Sequence, residues 1–193
     1  MTRAASTLRG LDAGDRWLYG EVGRWSTPLL DAPLRGASRL ADFSTPWFLV
    51  AGALGLFGGS RGRRAAVTGL TAVGTASLVV NQPLKALGGR RRPDRGPRGK
   101  PLPRWVRMPT SHAFPSGHAA SAAAFAVAVG DEVPAMAPVL RTAAAVVAFS
   151  RVYTGVHYPS DVLVGAGVGA LIGRCVSRFL AGPGRSTLGA AVG

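Results

Sequence analysis

Phe114-Pro115-Ser116-Gly117-His118 runs directly into Ala119-Ala120-Ser121-Ala122-Ala123-Ala124-Phe125-Ala126-Val127. The first part is a polar turn holding proline and glycine, and the second is an apolar run of strong helix formers. Pro115 is tolerated in a first helical turn, and the Ser116 hydroxyl can accept from an orphan backbone N–H. Gly117 lets another group approach the backbone closely. The junction predicts a helix N-terminus with free N–H groups and a histidine beside them, suited to holding an anion next to a proton donor.

Other apolar runs flank this junction. Residues 46–58 are apolar, Arg61, Arg63 and Arg64 interrupt, and residues 65–84 are apolar again. Residues 117–130, 139–149 and 162–180 complete five such runs. The runs 65–84 and 162–180 approach the roughly 20 residues needed to cross a bilayer, while the others are shorter. Gly165, Gly169 and Gly173 recur every fourth residue, a spacing that lets membrane helices pack closely within or between subunits. A soluble, alanine-rich bundle is the competing architecture, but five apolar runs leave too little polar surface for it. Toward the N-terminus, Leu11, Leu18, Val22, Trp25 and Leu29 share one helical face, which suits an interfacial helix with Trp17 and Trp25 at headgroup depth. The expected fold is therefore all-α: an integral membrane bundle of about five transmembrane helices plus an N-terminal amphipathic helix. Residues 1–45 form the interfacial segment, 46–180 the membrane domain with a basic loop over 85–112, and 181–193 a flexible tail.

The chain of 193 residues has the length of one domain, and its net charge is +14. Such a charge favours anionic partners: nucleic acid, an acidic membrane surface or phosphorylated substrates. The basic loop holds nine Lys and Arg against the lone Asp94 and is broken by prolines. Its charges are not set on a helix and Trp105 is its only aromatic, so nucleic acid is not the expected partner. Arg90, Arg91 and Arg95 read as solvated or lipid-facing, and His112 as structural or at the rim. The single cysteine, Cys175, excludes an internal disulfide and a Cys-type zinc site. The N-terminus shows no apolar leader, so no cleaved signal peptide is expected.

In an up-and-down bundle, three clusters fall on one membrane face: Lys85 and Arg92 after the second run, His118 at the start of the third, and Ser150, Arg151, His157 and Asp161 between the fourth and fifth. Lys85, Arg92 and Arg151 are cations able to neutralise a phosphoryl group, and Ser116 and the Gly117 N–H add neutral donors. Asp161, four residues after His157, can hold one ring nitrogen and leave the other as nucleophile. His118 then serves as general acid for the leaving oxygen. No metal or cofactor is needed for this chemistry. Tyr153 and Tyr158 flank the cluster as candidate linings of a lipid entrance.

Lys85-x6-Arg92-Pro93, Pro115-Ser116-Gly117-His118 and Ser150-Arg151-x5-His157-x3-Asp161 together resemble the three-part signature of the type 2 phosphatidic acid phosphatase superfamily, over roughly residues 65–173. That family includes lipid phosphatases, polyprenyl diphosphate phosphatases and vanadium haloperoxidases. The resemblance implies a metal-independent reaction through a phosphohistidine on His157, proton donation by His118, and a phosphate cradle of Lys85, Arg92, Ser116, Gly117, His118 and Arg151. It implies a lipid-phosphate substrate: phosphatidate, phosphatidylglycerol phosphate, a polyprenyl diphosphate or a polyprenyl-linked sugar phosphate. Many integral members have six spans, against five here. A phosphotransferase with the same intermediate and a non-enzymatic, anion-binding membrane adaptor are the competing readings. The distribution of Lys and Arg places the site on the cytoplasmic face of the plasma membrane.

Overall fold

The computed structural model describes residues 3–25, 27–95 and 102–182, and all regular structure among them is helical. Arg98 and Lys100 of the basic loop and the tail beyond residue 182 lie outside the described residues. The helices are α1 (Arg3–Arg24), α2 (Pro28–Leu40), α3 (Thr45–Phe57), α4 (Gly59–Val79), α5 (Lys85–Gly88), α6 (Gly117–Glu132), α7 (Ala137–Tyr153) and α8 (Pro159–Ala181).

α6 is the central helix. Ten of its 16 residues are buried, as befits a helix apolar on every side, and α4, α7 and α8 surround it. The contact with α8 is the tightest. A Cβ on Gly165, Gly169 or Gly173 would lie 2.4, 2.0 or 2.5 Å from the carbonyl oxygens of Ser116, Ala120 and Ala124. Two ladders with the same four-residue step therefore mesh backbone to backbone, and the glycine face serves internal packing. Trp47 in the first turn of α3 is buried and packs on Phe125 of α6, with ring centroids 5.3 Å apart.

α4 does not run straight to Leu84. Pro83 has no amide to donate, and the chain widens into a π turn over Val80–Leu84 before α5 resumes at Lys85. The N-terminal face also differs from its expected form. α1 ends at Arg24 and α2 restarts with Pro28 at its first turn, so the expected stripe is divided between two helices. Asp15, Tyr19 and Val22 are buried, while Trp17, Leu18, Trp25 and Leu29 remain exposed. α1 therefore docks on the core through Asp15 as well as Tyr19 and Val22, leaving Trp17 and Leu18 outward.

Pro134–Tyr153 and Pro159–Ala181 are long and apolar enough to cross a membrane, and a third span exists if Pro28–Leu40 and Asp42–Phe57, bent by 68°, count as one. By length and composition the described helices thus give two or three spans. α3 and α6 have only 13 and 16 residues, and α4 opens with Arg61, Arg63 and Arg64 in its first turns.

Candidate active site

The π turn, the N-terminus of α6 and the loop between α7 and α8 meet at one end of the bundle. Lys85, Arg92, Gly117, His118 and His157 line a single cavity of about 690 Å³ there. Ser116, Arg151 and Asp161 are not on its wall but stand immediately behind it, each 1% exposed or less.

Ser116 caps α6 as expected, its hydroxyl accepting from the Ala119 N–H at 3.5 Å. Its own N–H donates to the Asp161 carbonyl at 2.8 Å, tying the start of α6 to the start of α8. The Phe114–Pro115 peptide bond is cis. Gly117 lets Asn81 come close: a Cβ there would lie 2.8 Å from the Asn81 Oδ1 and would push that side chain aside. Asn81 reaches this position from the π turn and lines the cavity.

His157 is 1% exposed. Arg92 Nη1–H donates to its Nε2 at 3.2 Å, which requires a lone pair on Nε2 and puts the proton of the neutral ring on Nδ1. Nδ1 faces Asp161 Oδ2 at 3.4 Å without a formed hydrogen bond, and has no other partner among the described residues. Burial, with Arg92 and Arg151 nearby, pushes the imidazole down to about 3 despite Asp161, so the ring is neutral near pH 7. Nε2 is thus the ring nitrogen turned toward Arg92.

The cations are held rigidly. Arg92 also donates to the carbonyls of Val156 and Ser111 at 2.8 and 2.9 Å. Burial lowers it to about 10, so it stays charged at neutral pH. Lys85 Nζ donates to Ser111 Oγ at 3.1 Å. Burial and the neighbouring Arg92 and Arg151 lower Lys85 to about 8. Arg151 donates to Ser38 Oγ and O at 2.6 and 3.0 Å, and its Nε has no partner among the described residues.

Three residues with no assigned role in the sequence pattern enter the site. Asp42 Oδ1 lies 2.9 Å from His118 Nε2 and 3.8 Å from Arg151 Nη1. It stands on a turn whose next two residues, Phe43 and Ser44, have φ of 57° and 60°, a conformation that non-glycine residues adopt at a cost. Asn81 is the second. Arg90 is the third, and it is neither solvated nor lipid-facing: Nη1 lies 3.0 Å from Asp161 Oδ1 and 2.6 Å from Asp15 Oδ2. Arg95 likewise turns inward, to the carbonyls of Val106 and Gly155. Arg104 is 2% exposed and pins the α1–α2 connection through Asp31 and backbone carbonyls. The basic loop is thus a tied cap as well as a charged surface. Tyr153 and Tyr158 do not line the cavity: Tyr153 donates to Asp31, and Tyr158 packs beneath Arg90 and against Tyr19. His112 Nδ1 lies 3.0 Å from the Lys85 carbonyl, bracing the loop against α5.

A neutral, buried imidazole beside Arg92, with His118 on the wall of the same cavity, is an arrangement suited to phosphate chemistry. A family model of the PAP2 superfamily matches residues 65–184. Decaprenylphosphoryl-5-phosphoribose phosphatase of Mycobacterium tuberculosis is 34% identical over 151 residues, covering 77% of this chain and 80% of that protein. The crystal structure of a transmembrane PAP2-type phosphatidylglycerolphosphate phosphatase from Bacillus subtilis superposes with a TM-score of 0.72 at 25% identity, covering 92% of this chain and 89% of that one. Aquifex aeolicus LpxE shares the fold, with a TM-score of 0.65 at 22% identity over 83% of this chain and 93% of that one. The chain belongs to the PAP2 superfamily and is a membrane lipid-phosphate phosphatase.

Proposed function

We propose that this protein removes a terminal phosphate monoester from a lipid-linked substrate by way of a phosphohistidine on His157, without a metal. The observation that carries this reading is the shared cavity. Lys85, Arg92, His118 and His157 line one part of it, and Phe48, Leu70 and Val73 line another, so one space offers cations for a phosphate and an apolar wall for a tail.

In the first step Arg92 passes its N–H from His157 Nε2 to a phosphoryl oxygen, freeing the lone pair. Nε2 attacks phosphorus, the bond to the lipid oxygen breaks, and His118 gives that oxygen a proton. Lys85, Arg92, Arg151, the Ser116 hydroxyl and the Gly117 N–H stabilise the charge on the transferring group. In the second step water attacks the phosphohistidine, His118 takes its proton, and inorganic phosphate leaves. The phosphatase domain spans residues 46–180, α1 and α2 lie at the interface, and the active site faces the cytoplasm of a five-span protein in the plasma membrane. A polyprenyl-linked sugar phosphate is the first substrate to try, because the Mycobacterium tuberculosis relative is named for one.

The test is phosphate release by purified protein in detergent from a panel of phosphatidate, phosphatidylglycerol phosphate, a polyprenyl diphosphate and a polyprenyl-linked sugar phosphate. Release that vanadate inhibits, EDTA leaves unchanged and His157→Ala abolishes supports the reading. Loss of activity in EDTA that added divalent cation restores refutes its metal independence.

A further inference from the structure

Arg90 is the only cation within salt-bridge reach of both Asp15 and Asp161 among the described residues. Its Nη1 lies 3.0 Å from Asp161 Oδ1, 2.8 Å from Ser160 Oγ and 2.6 Å from Asp15 Oδ2, while Nη2 lies 2.8 Å from Asp12 Oδ1. The guanidinium carbon sits 4.1 Å from the centroid of the Tyr158 ring. From the other side, Asp15 accepts from the Ser160 N–H at 2.8 Å and from the Ser160 hydroxyl at 2.6 Å. Asp12 and Asp15 belong to α1, Ser160 and Asp161 to the first turn of α8.

Asp161 has two oxygens and two tasks. Oδ2 accepts from the Tyr158 N–H at 2.9 Å and faces His157 Nδ1 at 3.4 Å. Oδ1 accepts from Arg90. The carboxylate is 0% exposed, so an ionised Asp161 needs a partner on Oδ1, and the direction of that partner fixes the plane of the group. We propose that Arg90 is a positioning residue for the His157–Asp161 pair and that α1 holds Arg90 in place through Asp15, so that the interfacial helix forms part of the catalytic support. This rests on the reading of His157 as nucleophile. It adds that α1 is no mere membrane anchor: its buried acid determines how well Asp161 orients the imidazole.

The charged groups acting on this pair are Arg90 and Arg92 from the loop and Arg151 from α7, and Asp12 and Asp15 of α1 act on Arg90 in turn. Arg92 and Arg151 belong to the proposed phosphate cradle, whereas the Arg90 guanidinium is taken up by Asp12, Asp15 and Asp161. Loss of Arg90 is therefore expected in kcat with KM spared.

The experiment measures kcat and KM of Arg90→Gln, Arg90→Lys, Asp15→Asn, the double variant Arg90→Gln/Asp15→Asn and Asp161→Asn, with phosphatidate and a polyprenyl phosphate in detergent micelles. The expected result for Arg90→Gln is a fall in kcat of about 10- to 100-fold with KM within about twofold. Arg90→Lys keeps the charge and recovers most of that loss. Asp15→Asn lowers kcat in the same sense, and the double variant is no worse than Arg90→Gln alone, because the two act as one unit. Full kcat in Arg90→Gln, a loss confined to KM, or independent multiplication of the two losses in the double variant would overturn the proposal. Should Arg90→Gln fail to fold, Asp15→Asn with unchanged kcat does the same. Asp161→Asn separates the two levels: if it keeps full kcat, the nucleophile reading fails, whereas its loss alongside unaffected Arg90→Gln sinks only the positioning role.

Discussion

Gly169→Ala is the sharpest test of how this bundle is built. The added Cβ would sit 2.0 Å from the Ala120 carbonyl oxygen and 2.7 Å from its Cα. Carbon-to-oxygen contacts between helices are normally about 3.3–3.6 Å, so α6 and α8 must part by roughly 1.3 Å at this level. The obstruction is backbone, which no rotamer change relieves. Overpacking of this kind costs about 1–3 kcal/mol, and the upper end applies when neither side can yield. Better helix propensity returns about 1 kcal/mol, leaving a net loss near 2 kcal/mol. At about 2–4 °C per kcal/mol the melting temperature drops by about 4–8 °C. Gly167→Ala is the internal control, because nothing lies within 4 Å of its added Cβ and only the propensity gain remains. The assay is thermal denaturation in one detergent, followed by the monodisperse fraction after heating. The same substitution at Gly165 places a Cβ 2.4 Å from the Ser116 carbonyl, beside the N–H that binds the Asp161 carbonyl. It is expected to lose about 100-fold in kcat as well, since a shift near 1 Å in a catalytic frame costs about that much. A Gly169→Ala protein melting at or above the Gly167→Ala protein would refute the close-packed seam.

The pH dependence, a carboxylate beside the second imidazole and the orientation provide three further tests. With Lys85 lowered to about 8 and Arg92 only to about 10, kcat/KM has a step through about 8, where Lys85 sheds its proton and stops attracting phosphate, in addition to the fall set by deprotonation of the His118 acid. His157, at about 3, contributes no acid limb above pH 5. Lys85→Arg moves the alkaline limb upward, and an unmoved limb rules Lys85 out as its source. Asp42→Asn keeps the shape beside His118 and removes the charge, so kcat is expected to fall about 10-fold or more with KM little changed. Unchanged kcat would remove Asp42 from the proton-transfer chain. Thr110→Cys, made on a Cys175→Ser background because Cys175 is exposed, should resist an impermeant thiol reagent in intact cells if the active site faces the cytoplasm. Rapid labelling would turn the protein over.

The proposed site residues could be picked out because phosphate chemistry needs particular side chains at recognisable spacings, and Lys85, Arg92, His118 and His157 of that set line one cavity. Their supports were not. Arg90, Arg91 and Arg92 form one run, and nothing local shows that Arg90 turns to α1 and Asp161 while Arg92 turns to His157. Asp42 meets His118 across 76 positions, beside two residues with positive φ that no local pattern announces. Asn81 offered one clue, a polar residue in an apolar run just before Pro83, and the proline gave the physical reason for the π turn that aims it. The stripe over Leu18, Val22, Trp25 and Leu29 misled because periodicity cannot show that Pro28 starts a second helix, or that a buried acid decides which face of α1 docks. Glycines 165, 169 and 173 announced close packing, and the partner became clear only when the Ser116, Ala120 and Ala124 carbonyls appeared opposite them.

The most direct test is capture of the covalent intermediate. Protein mixed with a lipid phosphate radiolabelled at phosphorus, quenched within the first turnover, should carry a label that survives alkali and is lost in mild acid, mapping to the peptide with His157 and absent from His157→Ala. Label on a hydroxyl or carboxylate, or a His157→Ala protein that still turns over at the wild-type rate, would contradict the account.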